Sequence, residues 1–304
     1  MADTNIEWTD KVWNPVRGCS LVSAGCENCY AMKTAHRFSG PGGTYEGLTE
    51  LGPHGPRWNG TITLVPELLD APLHWKKPQR IFVNSMSDLF HEYVPDEFID
   101  RVFAVMADAG QHTFQILTKR PQRMREYLSS DNVRYSARRV FNLTNDPAGK
   151  FDCDIYWPLE NVWLGVSVEN QTTADERIPL LLQTPTAVRW ISAEPLLGQV
   201  DLSQFIPLHS GSTFRAARMS AQKLPSINWV VIGGESGPGA RPCDLAWIRS
   251  IKEQCQAAKV PVFMKQLGRY PIFDRDEATR YFTDKKGGDM AEWPQDLRVR
   301  EYPV

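Results

Sequence analysis

Short apolar runs alternate with helical-period stretches along most of the chain. "RIFVNSMSDLF" (80–90) is rich in β-formers and ends in polar residues. "PDEFIDRVFAVMADAG" follows, with Pro95 at a helix start, Phe98, Val102, Val105 and Met106 at helical spacing, and Gly110 as the stop. The same alternation predicts strands over 112–121, 161–170, 187–197, 227–236 and 260–268. Helices are predicted in "QRMREYL", in "TTADERIPLLLQ", opened by Thr172 or Thr173, and in "DLAWIRSIKEQCQAAK". Alternating β and α elements predict an α/β fold with a parallel sheet. Polar residues recur at the strand C-terminal ends: Ser85/Asp88, Lys119/Arg120, Ser167/Glu169, Glu194, Glu235 and Lys265/Gln266. That recurrence points to a partial or complete parallel (β/α) TIM-type barrel, whose chemistry sits at the C-terminal mouth. A doubly wound open sheet is the alternative, since it also binds ligands at strand C-termini.

Three segments break the rhythm: 39–75, 130–158 and 199–226. They read as insertions at the mouth. The expected organisation is a single domain over 1–304, with a core of about residues 10–270 and a polar tail, 271–304, packing on it through Trp293 and Tyr302. Composition is ordinary for a soluble domain, at 42% hydrophobic and 23% charged. A net charge of −2 provides no global field toward nucleic acid, so such contacts must come from local patches. The polar start "MADTNIEWTD" has no signal-peptide pattern, and no apolar run is long enough for a membrane span. The expectation is a cytoplasmic protein without membrane association.

Half of the six cysteines lie in "RGCSLVSAGCENCYAMKTAH", at C-x6-C-x2-C: Cys19, Cys26 and Cys29. The run "YAMKTAHRF" after Cys29 reads as a helix. Two metal readings fit the cluster. One is a closed zinc site with His36 as fourth ligand. The other is a 4Fe-4S cluster on three thiolates with one iron left for a small molecule. Three free buried cysteines, or one disulfide with a spare thiol, are the plainer readings. His36 lies two helical turns past Cys29, about 10 Å along the axis, which is far for a shared zinc. Cys255 lies inside an amphipathic helix and reads as core; Cys153, between Asp152 and Asp154, reads as an unreactive thiol.

The loop "CENCYA" resembles the cysteine loop of the spore photoproduct lyase-related branch of the radical S-adenosylmethionine (SAM) superfamily. Its spacing has three more residues between the first two cysteines than the superfamily's usual C-x3-C-x2-C. Over most of its length the chain also resembles a phage and prophage family known by its three-cysteine motif. The matching stretches are "NIEWTDKVWNPVRGC", "GCENCYA", "WPLENVWLGVSVEN", "ISAEPLL", "VIGGESGPGARP" and "WPQDLRVREYP". The resemblance implies a 4Fe-4S cluster on Cys19, Cys26 and Cys29, SAM as cosubstrate, cleavage to a 5′-deoxyadenosyl radical, and an external electron donor. Ser85, Ser87 and Asp88 stand where the superfamily has a Gly-Gly-Glu that grips the methionyl amine. A literal Gly-Gly-Glu ending in Glu235 lies on a late strand, where a plain strand-to-loop turn is the alternative. By the same resemblance Ser167 and Glu169 fall in a region that in the superfamily often meets the ribose hydroxyls, with helix capping as the alternative for Glu169.

Glu194, held by Pro195, and Lys119 are the candidate catalytic residues; a salt bridge from Glu194 to Arg189 or Lys119 is the competing reading. Residues 119–139 and 213–223 are basic with interleaved aromatics, which suits phosphates and bases, although such runs also form solvated helix faces. The function expected is a radical SAM enzyme modifying or repairing a nucleic-acid base or nucleotide. A duplex substrate would have to extrude the target base. The rivals are a non-catalytic zinc- or cluster-stabilised protein that binds nucleic acid or recruits a partner, and a barrel enzyme of another kind with a structural metal.

Overall fold

A computed structural model describes residues 4–130, 157–206, 225–273 and 282–303. The chain divides into two compact units, Met1–Val166 with Thr184–Val188, and Ser167–Gln183 with Arg189–Val304. Both are α/β with parallel strands, as the alternation predicts.

In the first unit the strands are β1 (Lys11–Trp13), β2 (Val16–Arg17), β3 (Thr49–Gly52), β4 (Gly55–Trp58), β5 (Thr63–Leu64), β6 (Arg80–Val83), β7 (Thr113–Thr118) and β8 (Val162–Ser167, its last residue assigned to the second unit). β1, β6, β7 and β8 pair in parallel in that order, with Val12 opposite Phe82, Phe82 opposite Gln115, and Gln115 opposite Trp163. Ile81, Val83, Phe114, Ile116, Leu164 and Val166 are all at most 1% exposed. Strands with both faces covered carry continuous apolar runs, which is what the sequence shows. The helices are α1 (Tyr30–Arg37), α2 (Asp96–Asp108) and α3 (Pro121–Ser129). Pro95 caps α2, whose buried face is Phe98, Ile99, Val102, Phe103 and Met106; Val105 is only half-buried. The 39–75 insertion contains the antiparallel hairpin β3–β4 and strand β5, which pairs with β2.

In the second unit, β9 (Val188–Ala193, its first residue assigned to the first unit), β10 (Trp229–Gly233) and β12 (Val262–Gln266) pair in parallel. A short parallel pair joins β11 (Cys243–Asp244) and β13 (Pro271–Ile272). Two helices belong here, α4 (Gln171–Gln183) and α5 (Leu245–Ala257). Asn170 Oδ1 accepts the Thr173 N–H at 3.1 Å, so α4 is opened by Asn170 rather than by Thr172 or Thr173. Asp244 does the same for α5 at the Ala246 N–H. Trp293 is fully buried, and Tyr302 stacks on Trp229 at 5.5 Å. Among the described residues no helix is long and apolar enough to cross a membrane.

Burial pushes the thiols of Cys243 and Cys255 up to about 12. In the unfolded chain they titrate near 8.5. The folded state therefore holds these protons more tightly, and that stability is complete below about pH 8.5 and lost as pH rises toward 12. Urea midpoints should fall across this window, and a Cys243→Val/Cys255→Val double variant should flatten the fall; an equally steep profile in the variant would contradict this.

Candidate functional site

The arm that carries the first thiol is fixed before the thiol is reached. After β1, the Asn84 N–H donates to Trp13 O at 2.7 Å, and Asn84 Oδ1 accepts the Val16 N–H at 3.3 Å. Ser87 Oγ donates to Val16 O at 2.8 Å, and Gly18 bridges to Ser87. Gly18 has φ +89°, and a Cβ there would lie 2.1 Å from Thr61 O, so only glycine fits. Asn84 is itself buried in the left-handed region at φ 60°, a strained conformation that the surrounding bonds hold in place. Cys19 follows, then a turn at Ala24–Cys26, then Cys29 as the residue capping α1. Behind them Cys19 and Cys29 pack on a small apolar cluster that includes Ala31, Met32, Ala35 and Met86.

The three thiols lie within electrostatic reach of one another. Burial pushes Cys19 up to about 12; Asp88 adds to this, Arg120 opposes it, and Cys29 and Cys26 raise it further. Burial also raises Cys29, opposed by the backbone N–H groups of Ala31 and Met32 at the start of α1 and by Lys119. Sulfur-directed donors are present as well: Arg120 Nη1 lies 3.8 Å from Cys19 Sγ, and the Val22 N–H lies 3.5 Å from Cys26 Sγ. Among the described residues no three His, Cys, Asp or Glu side chains converge tightly enough to hold one metal ion. His36 Nδ1 bonds Thr49 Oγ1 at 3.1 Å. Three thiolates that each took a different iron of a cluster would not need to converge on one point, and N–H groups aimed at sulfur are the usual protein partners of such a cluster.

Arg120 ties this site together. Asp88 Oδ2 and Glu92 Oε2 hold its guanidinium at 3.2 and 3.0 Å. Its Nη2 reaches Ser20 Oγ at 2.6 Å. Burial alone would lower the Arg120 pKa, but Asp88, then Cys19 and Glu92, raise it, so the guanidinium stays charged. Ser20 also meets His91 Nε2 at 3.0 Å, and Glu92 lies 3.5 Å from His91 Nδ1. This has the outline of a Ser-His-acid triad but not its protonation. His91 Nδ1 accepts the Tyr93 N–H at 3.2 Å, and burial lowers the pKa of the ring, so the proton sits on Nε2 and the ring donates to Ser20. It cannot act as the base for that hydroxyl.

The residues predicted to hold SAM are placed as follows. Ser85 Oγ donates to Asn14 Oδ1, and Ser87 anchors the cysteine arm. Asp88 accepts from Thr118 Oγ1 at 2.7 and 2.9 Å and from the N–H groups of Lys119 and Phe90, besides Arg120. Lys119 stands near enough to Cys29 to lower its pKa. The first unit thus brings Cys19, Cys26, Cys29, Ser85, Ser87, Asp88 and Lys119 to the C-terminal ends of β1, β6 and β7.

The predicted residues of the second unit have their own partners. Glu169 is ion-paired with Arg177 at 3.1 Å, both at most 2% exposed, and Arg177 also donates to Ser167 O. Glu194 Oε1 accepts Lys265 Nζ at 2.6 Å, so its cation is Lys265. A Cβ on Gly233 would sit 3.2 Å from the Glu194 carboxyl carbon. Glu235 accepts the Arg241 side chain at 2.7 Å and its N–H at 2.8 Å. A Cβ on Gly234 would lie 2.3 Å from Leu267 O, so close backbone approach accounts for that glycine.

Of the basic tract, Arg120 and Arg123 have internal partners; Arg123 donates to His91 O, Val94 O and Asp96. Arg134, Arg138, Arg139, the whole of 213–223 and Cys153 lie outside the described residues. Arg120, Ser20, His91 and Glu92 were not among the residues picked out as the site. Only the strand-end position of Arg120 signalled it.

No curated protein matches the chain. Two solved structures resemble it at 10% identity. A cysteine-to-serine mutant of spore photoproduct lyase aligns with a TM-score of 0.40 over 93% of this chain and 72% of its own. Spore photoproduct lyase complexed with dinucleoside spore photoproduct aligns at 0.34 over 79% and 58%. Neither score is high enough to assign a shared fold. A family profile, in contrast, matches residues 3–293, nearly the whole chain, and the protein therefore belongs to the family described as "Protein of unknown function (DUF5131)".

Proposed function

We propose that this protein is a radical SAM enzyme, built on a parallel (β/α) scaffold of the partial-barrel kind. Cys19, Cys26 and Cys29 would hold a 4Fe-4S cluster. The observation that carries this reading is the gathering of three thiols at the strand ends, within electrostatic reach of one another and faced by N–H donors and the cations Arg120 and Lys119. When bound, such a cluster supplies one electron, drawn from a low-potential external donor, to the sulfonium of SAM, giving methionine and a 5′-deoxyadenosyl radical that takes a hydrogen atom from the substrate.

The chain's own residues do the rest. Asn84, Ser87 and Gly18 fix the arm of Cys19. The start of α1 directs N–H groups at Cys29. Lys119 places a positive charge beside the thiols, where an anionic group of a ligand would be favoured. Ser85, Ser87 and Asp88 flank the same strand ends; Glu194, our candidate carboxylate in the second unit, is ion-paired with Lys265. The substrate class we assign is a nucleic-acid base or nucleotide, supported by the basic and aromatic residues of 213–223 and of 119–139 other than Arg120, Arg123 and Tyr127, which have internal partners. The test is anaerobic reduction with dithionite in the presence of SAM, followed by chromatography for 5′-deoxyadenosine. Formation of 5′-deoxyadenosine is expected, and none with any reductant would contradict an enzymatic role.

A further inference from the structure

We propose that Arg120 is a positioning residue that sets the electron affinity of the thiol-bound cluster; this rests on the reading above. The guanidinium is 12% exposed and is held by two carboxylates, Asp88 at 3.2 Å and Glu92 at 3.0 Å. Asp88 is in turn fixed by Thr118 Oγ1, the Lys119 N–H and the Phe90 N–H. Ser20, on the far side, accepts Arg120 Nη2 at 2.6 Å and is met by the Nε2 of the buried His91 at 3.0 Å. The fork is therefore held from several sides, and among the described residues the soft acceptor it faces is Cys19 Sγ, 3.8 Å from Nη1.

Two carboxylates beside one guanidinium would satisfy its charge without any sulfur. This guanidinium instead spans the gap between the acidic pair and the Cys19–Ser20 arm, so its charge and an N–H lie against the first cluster ligand. A cluster on three thiolates is anionic and gains a further negative charge when reduced. A fixed cation and N–H donor at a ligand sulfur favour the reduced form, and charge and sulfur hydrogen bonds are recognised determinants of cluster potential. Glu92 works against this with its negative charge, more weakly because it is 55% exposed and screened.

The test compares midpoint potentials and electron paramagnetic resonance spectra of reconstituted wild type, Arg120→Gln, Arg120→Lys and Glu92→Gln, with iron and sulfide measured in each. Arg120→Gln should have a lower potential than wild type and a changed spectrum. Arg120→Lys, which keeps charge but loses the fork, should lie between the two. Glu92→Gln should shift the potential upward. A purely structural Arg120 would leave potentials unmoved wherever the cluster is retained, so Arg120→Gln with full iron and the wild-type potential would overturn the inference. Should Arg120→Gln fail to hold the cluster, Glu92→Gln decides: an upward shift supports the inference and an unchanged potential overturns it. A wild-type chain without iron and sulfide would overturn the proposed function and this inference together, whereas a cluster whose potential neither variant moves overturns this inference alone.

Discussion

Glu169→Ala should cost the protein about 3–5 kcal/mol, because it strands a buried guanidinium. Arg177 is 2% exposed and Glu169 1% exposed, and they meet at 3.1 Å. Removing the carboxylate leaves a full charge with Ser167 O and no buried counter-charge from Glu169. Glu169→Gln keeps an oxygen acceptor and should cost less. Replacing both partners with apolar residues of similar size should recover most of the loss, since neither charge then remains to be desolvated. Equilibrium urea unfolding checks this. A Glu169→Ala midpoint equal to wild type would show that the pair is not what holds the β8–α4 connection.

Cys26→Ala should abolish cluster binding and SAM cleavage together while leaving the fold in place. Cys26 is half-buried, at the end of a short turn, so losing its sulfur opens no core cavity. Two thiolates cannot hold three irons of the cluster, so the effect should be complete rather than graded. Cys243→Ala is the control: that thiol is buried in β11, away from the cysteine loop in sequence, and the variant should keep both iron and turnover. Iron content, circular dichroism and 5′-deoxyadenosine yield measured on the same samples separate loss of site from loss of fold. Turnover retained in Cys26→Ala would contradict the assignment of ligands.

Much of the scaffold was legible because buried parallel strands are continuous apolar runs with polar ends. The strands predicted around 80–90, 112–121 and 161–170 contain β6, β7 and β8, each shorter than the predicted segment because the polar residues at its end leave the ladder. The hairpin β3–β4 was missed because "TELGPHGPRW" is polar, rich in glycine and proline, and half exposed. α4 was opened too late because Thr172 and Thr173 are themselves good capping types, and the Asn170 bond is invisible until the chain folds.

At the site, sequence identifies charges but not their partners. The strand-end rule singled out Asp88, Lys119, Glu169, Glu194 and Glu235 as groups facing a ligand. In the fold, Asp88 holds Arg120, Glu169 holds Arg177, Glu194 meets Lys265 and Glu235 holds Arg241. Asp88 and Arg120 are 32 residues apart, so only the pairing of β6 with β7 brings them together. His91 carried no signal at all, being a lone histidine in a loop. The cysteine motif differs in being local: its short spacing alone keeps Cys19, Cys26 and Cys29 in one loop, whatever the rest of the fold does. Its long first gap spans Ser20, which Arg120 grips, and a turn exposing Leu21 and Val22 before Cys26.

The central claim is that these three thiols hold an iron–sulfur cluster, and metal and acid-labile sulfide analysis of anaerobically purified protein tests it most directly. The prediction is about four irons and four sulfides per chain. One zinc per chain with no sulfide would contradict it.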